Sequence, residues 1–157
     1  APPTTVDPAA LAEAEVRDAV DRAIADFDAC LLALPNCDIT TLAATRANPM
    51  LATNASRVSE WNAAGYTVVD RDQVRYVVES VDLADDLRQA TATVCFADGS
   101  KLIHAGAAPD GADLIIDGTF ASGREAWDMR LDADGVWRVY DAPLIGVTEG
   151  TDVCPPD

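Results

Sequence analysis

Trp127-Asp-Met-Arg-Leu131, Asp132-Ala-Asp-Gly135 and Val136-Trp-Arg-Val139 read together as an antiparallel hairpin, and the parity of its side chains decides what the rest of the chain must supply. Trp127, Met129 and Leu131 fall on one face of the first arm, and Trp137 and Val139 are placed to meet them from the second. Asp134-Gly135 is turn chemistry. A sheet patterned in this way buries one face only and needs a cover for it.

Working upstream, short runs of β-branched and aromatic residues begin at Tyr66: 66–69, 74–83, 91–96, 101–104 and 114–116, then 124–131 and 136–140. Along 74–83 the apolar parity switches from Val74, Tyr76 and Val78 to Val81 and Leu83, which predicts a bulge near Glu79-Ser80 and a bent strand. In 91–96, Ala92, Val94 and Phe96 share a face, so Cys95 should point the opposite way.

The cover is an N-terminal helix. Asp7-Pro8 supplies an N-cap acid and a proline at the first helical position. Val16, Val20, Ile24, Phe27, Leu31 and Leu34 then recur at steps of three and four on one face. Pro35-Asn36 ends it. A short second helix is expected around Thr41 to Arg46 and a third over about 49–64, closing at Gly65. Three helices followed by about five or six antiparallel strands is an α+β order, with the long helix lying across the concave face of a strongly curved sheet. The expected division is a tether over 1–7, one domain over 8–142, and a tail over 143–157.

Cys30, Cys37, Cys95 and Cys154 are even in number, hold no Cys-x-x-Cys pair and keep company with a single histidine, which argues for two disulfides and an oxidising, extracytoplasmic setting. Of the three connectivities allowed, Cys30–Cys37 with Cys95–Cys154 is favoured, because Pro35 reverses the chain between the first pair. The tail would then cross the convex surface, pinned by Cys154.

A formal charge of −16 arises from 21 Asp and 6 Glu against ten Arg and one Lys. Phosphate backbones would be repelled, so nucleic acid is not an expected partner. No apolar run approaches the roughly 20 residues that a membrane-spanning helix needs. Arg-over-Lys usage with abundant Ala, Asp and Val looks like the proteome of a high-GC bacterium such as an actinobacterium.

The element order, the Cys30 to Cys37 staple after the first helix, Gly65-Tyr66 leading into strands, and the Gly-x-Trp-x-Val ending at Gly135-Val136-Trp137-Arg138-Val139 together resemble the NTF2-like superfamily of cone-shaped α+β domains, in particular secreted or lipid-tethered bacterial members. The likeness spans about residues 8 to 142. It implies an apolar pocket between helices and sheet, in a superfamily that includes isomerases, dehydratases, epoxide hydrolases and polyketide cyclases beside members with no catalytic role. It also implies a homodimer formed through the open sheet. Residues expected to line the pocket are Phe27, Met50, Trp61, Tyr76, Phe96, Trp127, Met129 and Trp137. The superfamily's isomerase pattern resembles a first-helix Tyr with two buried Asp, and Phe27 stands here without that hydroxyl.

Acid–base chemistry needs a carboxylate or imidazole inside the cavity, where loss of solvent moves its pKa toward neutrality. His104 shares strand parity with Leu102 and is the first candidate, with Asp117 and Asp128 as partners, although Asp128 alternates with Trp127 and Met129 and so points outward. No cofactor or metal is expected: Asp132-Ala-Asp-Gly135 and Pro109-Asp-Gly-Ala-Asp113 lack EF-hand spacing, and there is no phosphate-binding glycine loop or nucleophile elbow. The function these features favour is an exported, non-catalytic module that binds a small apolar ligand or a protein partner. The alternative is an enzyme acting on a hydrophobic small molecule by proton transfer.

Overall fold

The computed structural model describes residues 1 and 5–156, so the expected tether over 1–7 lies partly outside the described residues. Helix α1 (Pro8–Leu32) opens where Asp7 accepts a hydrogen bond from the Ala9 amide at 3.0 Å, with Pro8 in the first turn. Its apolar stripe works in two halves. Val16, Ala19, Val20 and Ala23 pack on the sheet against Met129, Trp137 and Val139, and the two alanines leave room for close approach. From Ile24 onward the same face borders a cavity.

The expected short second helix is a 3-10 segment at Ile39–Ala44, capped by the Asp38 carboxylate, which accepts from both the amide and the hydroxyl of Thr40. Helix α2 (Met50–Ala64) follows and ends at Gly65, whose φ of 72° is left-handed backbone. Between these two helical segments the chain runs beside the last strand of the hairpin, with Ala47 N–H donating to the Val139 carbonyl at 3.0 Å and Val139 N–H to that of Thr45 at 3.1 Å.

Among the described residues eight strands follow, not five or six, and they form two antiparallel sheets in place of one. The small sheet has the order β1 (Thr67–Val69), β4 (Lys101–His104), β5 (Leu114–Asp117). The large sheet runs β2 (Val74–Leu83), β3 (Gln89–Asp98), β6 (Ala121–Leu131), β7 (Trp137–Asp141), and β8 (Leu144–Glu149) pairs the other half of β6. The division has a local cause. The chain turns a corner at Asp70–Gln73 and again at Gly99–Ser100, and the two corners are joined by the Gly99 amide donating to the Gln73 carbonyl at 3.0 Å. Each corner ends one ladder and starts the other, so the strands curl around the helices.

The predicted bulge lies where β2 shifts register against β3 between Val78 and Ser80. The hairpin pairs Met129 with Val139 and Leu131 with Trp137, as its parity requires. Strand β8 was hidden in the expected tail: Leu144 to Glu149 are all exposed, so no buried alternation marks them as strand. Gly123 lets β8 approach, because a Cβ there would come within 2.1 Å of the Gly146 carbonyl oxygen.

Both disulfides are present, Cys30–Cys37 and Cys95–Cys154, and no cysteine is free. The first loop is tied to α2 by Asn62, whose amide accepts from the Cys37 N–H at 3.2 Å and donates to its carbonyl at 2.9 Å. The second fastens residues 151–155 to the large sheet. Ser122, fully buried on β6, donates to the Thr151 carbonyl and accepts from the Val153 amide. Arg75 on β2 pairs with Asp152 and donates to the carbonyls of Cys154 and Pro155. Residues 151–155 therefore run from β6 over β3 to β2. Among the described residues no helix is long and apolar enough to cross a membrane.

Candidate functional site

A cavity of about 370 Å³ lies between the helices and the two sheets. Helix α2 contributes Met50, Asn54, Arg57 and Trp61, a set at steps of four, three and four that shares one helical face. Helix α1 contributes Ile24, Phe27 and Leu31, and the sheets add Val68, Tyr76, Phe96, Leu102, Trp127 and Val139. Six of the eight residues expected to line it are therefore in place: Phe27, Met50, Trp61, Tyr76, Phe96 and Trp127. Met129 and Trp137 are not. They sit beyond Trp127 under the N-terminal half of α1, where Val16 and Val20 fill the space.

The first catalytic candidate is elsewhere. His104 has the parity of Leu102, but the Gly65-Tyr66 turn covers that end of β4, and the His104 ring stands edge-on to Tyr66 with centroids 5.7 Å apart. It does not line the cavity. Asp117 does, from the exposed edge strand β5, with one oxygen accepting from the Thr119 amide at 3.1 Å. Asp128 points outward as expected and pairs with Arg130 at 2.6 Å.

The cavity's carboxylate is Glu125. It lies two residues before Trp127 on β6, and the Trp127 indole Nε1–H donates to its Oε2 at 2.8 Å. Burial raises the Glu125 pKa above the ordinary 4.5, against the opposing pull of that hydrogen bond and of the Arg57 charge. A carboxyl whose pKa rises on folding holds its proton more tightly in the native than in the unfolded chain. Its contribution to stability is thus intact below 4.5 and is lost as pH rises through the raised value. Glu125→Gln keeps an acceptor for Trp127 and removes the charge. The variant should melt above the wild type at pH 8 and converge with it near the ordinary 4.5, as followed by circular dichroism; a gap independent of pH would show that Glu125 is not the titrating group.

Of the three arginines that line the cavity, Arg46 and Arg71 are held in its walls by ion pairs. Arg46 is 4% exposed; its Nε donates to Asn54 Oδ1 at 2.7 Å, Nη1 to Thr45 Oγ1 at 2.9 Å and to Asp26 at 3.4 Å, and Nη2 to the Ala23 carbonyl at 2.8 Å. Its guanidinium also lies 5.0 Å from the Phe27 ring centroid. Arg71 pairs with Asp28 and Asp98 at the corner after β1. Burial pushes the Tyr76 phenol up to about 12, and its oxygen accepts from the Arg71 guanidinium, which pulls the other way. Among the described residues no cluster of three or more His, Cys, Asp or Glu could hold a metal ion.

No family model matches the chain, and no curated protein matches it. The crystal structure of the intermembrane space region of chloroplast protein ARC6 is similar over 81% of this chain and 94% of that one, with a TM-score of 0.60 and 14% sequence identity. At that identity the likeness establishes the α+β fold and nothing about activity.

Proposed function

We propose that this protein is an exported, non-catalytic module of NTF2-like cone shape that binds a small apolar ligand between its helices and its curled strands. The observation that carries this reading is the cavity of about 370 Å³ walled by Phe27, Met50, Trp61, Tyr76, Phe96 and Trp127, within the roughly 300 to 1,000 Å³ typical of ligand sites. Two disulfides support an extracytoplasmic setting. The neutral probe N-phenyl-1-naphthylamine should bind one-to-one and alter tryptophan emission, since Trp61 and Trp127 line the wall. Ile24→Trp, which adds bulk to that wall, should weaken binding by about tenfold or more. A probe that fails to bind, or binds Ile24→Trp as well as the wild type, would remove the reading.

Glu125 favours a second reading, an enzyme that moves a proton on a hydrophobic substrate. A carboxylate whose pKa is raised by burial, in a cavity that aromatic side chains line, is suited to act as general base. Incubating the protein with 2-octanone in D₂O tests this without knowledge of the substrate. Catalysis predicts deuterium at the carbons next to the carbonyl, at a rate falling about 100-fold or more in Glu125→Gln. Exchange no faster than buffer would leave only the binding role.

A further inference from the structure

Arg71 sits where the chain passes from the small sheet to the large one, and its side chain is 10% exposed. Two of its three nitrogens are engaged: Nη2 with Asp28, and Nη1 with Ser100 Oγ at 3.2 Å and Asp98 at 3.6 Å. The Tyr76 hydroxyl also interacts with this guanidinium, while Nε is buried and has no hydrogen-bond partner of its own among the described residues. A buried donor left unpaired is destabilising, and this one belongs to a side chain that lines the cavity.

The charge on Arg71 is meanwhile already outnumbered. Asp28 and Asp98 oppose two negative charges to its one, and Tyr76 nearby adds none while it remains a phenol. Beside Arg71 an arriving carboxylate or phosphate would meet the surplus negative charge of Asp28 and Asp98. An uncharged oxygen that reached the buried Nε would meet an unpaired donor and no repulsion.

We infer that the cavity reads, through Arg71 Nε–H, an uncharged acceptor oxygen carried on an otherwise apolar molecule: a ketone, ester or alcohol in preference to a carboxylate or a plain hydrocarbon. The inference rests on the ligand-binding role proposed above and narrows it to a chemical class. Arg57 is the opposing feature. It is exposed at the cavity and faces Glu125, and a site read by Arg57 would select an anion.

Three probes of one chain length separate these cases. The full protein is titrated with 2-octanone, octanoate and n-octane, following tryptophan fluorescence and the arginine Nε–H resonances in ¹⁵N-labelled material. The ketone binds about tenfold more tightly than octane, the return from pairing one buried donor, and more tightly than octanoate. One arginine Nε–H resonance, missing from the spectrum of Arg71→Lys, moves with ketone and not with octane. In Arg71→Lys the ratio of ketone to octane affinity falls toward one. If that variant does not fold, the order of affinities and the arginine resonance in the wild type decide the matter. Octanoate binding more tightly than the ketone assigns recognition to Arg57 and overturns the inference. Equal affinities with no arginine response also overturn it and leave the binding role standing, whereas failure of all three probes to bind removes both.

Discussion

Cys95→Ala/Cys154→Ala is expected to lose about 4 kcal/mol of unfolding free energy, because the bridge closes a long loop that the unfolded chain would otherwise sample freely. The two residues are 59 apart in sequence, against 7 for Cys30 and Cys37. The same loop-entropy relation assigns the shorter bridge about 2.5 kcal/mol. Urea unfolding measures the difference directly. Cys95 faces away from Val94 and Phe96 on β3, in a cluster with Ala97 and Cys154, so affinity for N-phenyl-1-naphthylamine should persist in the folded variant. A loss under about 1 kcal/mol would mean that Ser122 and Arg75 hold the chain end without help from the bridge, well below the usual range for a native disulfide.

Arg46→Ala should be as damaging, at about 3–5 kcal/mol, the usual cost of removing one partner from a buried ionic cluster. Its four hydrogen-bond acceptors come from α1, from Thr45 and from α2, so the side chain ties three parts of the helical cover together. Without it Asp26 and Asn54 lose a donor in a nearly sealed place. Arg46→Lys should recover less than half of the loss, because an ammonium cannot reproduce the planar fork that reaches Asn54, Thr45 and Ala23 at once. The probe-binding assay gives a second readout, since Phe27, Arg46 and Asn54 all line the cavity. Equal stability of Arg46→Ala and wild type would show that the cluster is dispensable.

Alternation and helical spacing carried much of this arrangement into view. The stripe from Val16 to Leu34, the parity of Trp127, Met129, Trp137 and Val139, and the outward turn of Cys95 are local periodicities that need no knowledge of distant contacts. Glu125 was legible by the same rule, because it shares the parity of Trp127 on β6, but a charged residue in an apolar series reads as solvent-facing until the cavity is seen. His104 shows the converse. Its parity with Leu102 was sound, yet the cavity does not extend to that end of β4, and the turn at Gly65-Tyr66 lies over it. Arg71 lies at one corner, Asp98 and Ser100 at the other, and both are far in sequence from each other and from Asp28. Only the folding of both corners onto α1 brings them together, and no short-range pattern announces that.

The strap formed by residues 151–155 has a consequence for assembly. Arg75, Cys95 and Ser122 anchor it on neighbouring strands of the outer face. Two copies stacked back to back over these strands would touch first through residues 151–155, so the outer surface there is upholstered rather than bare.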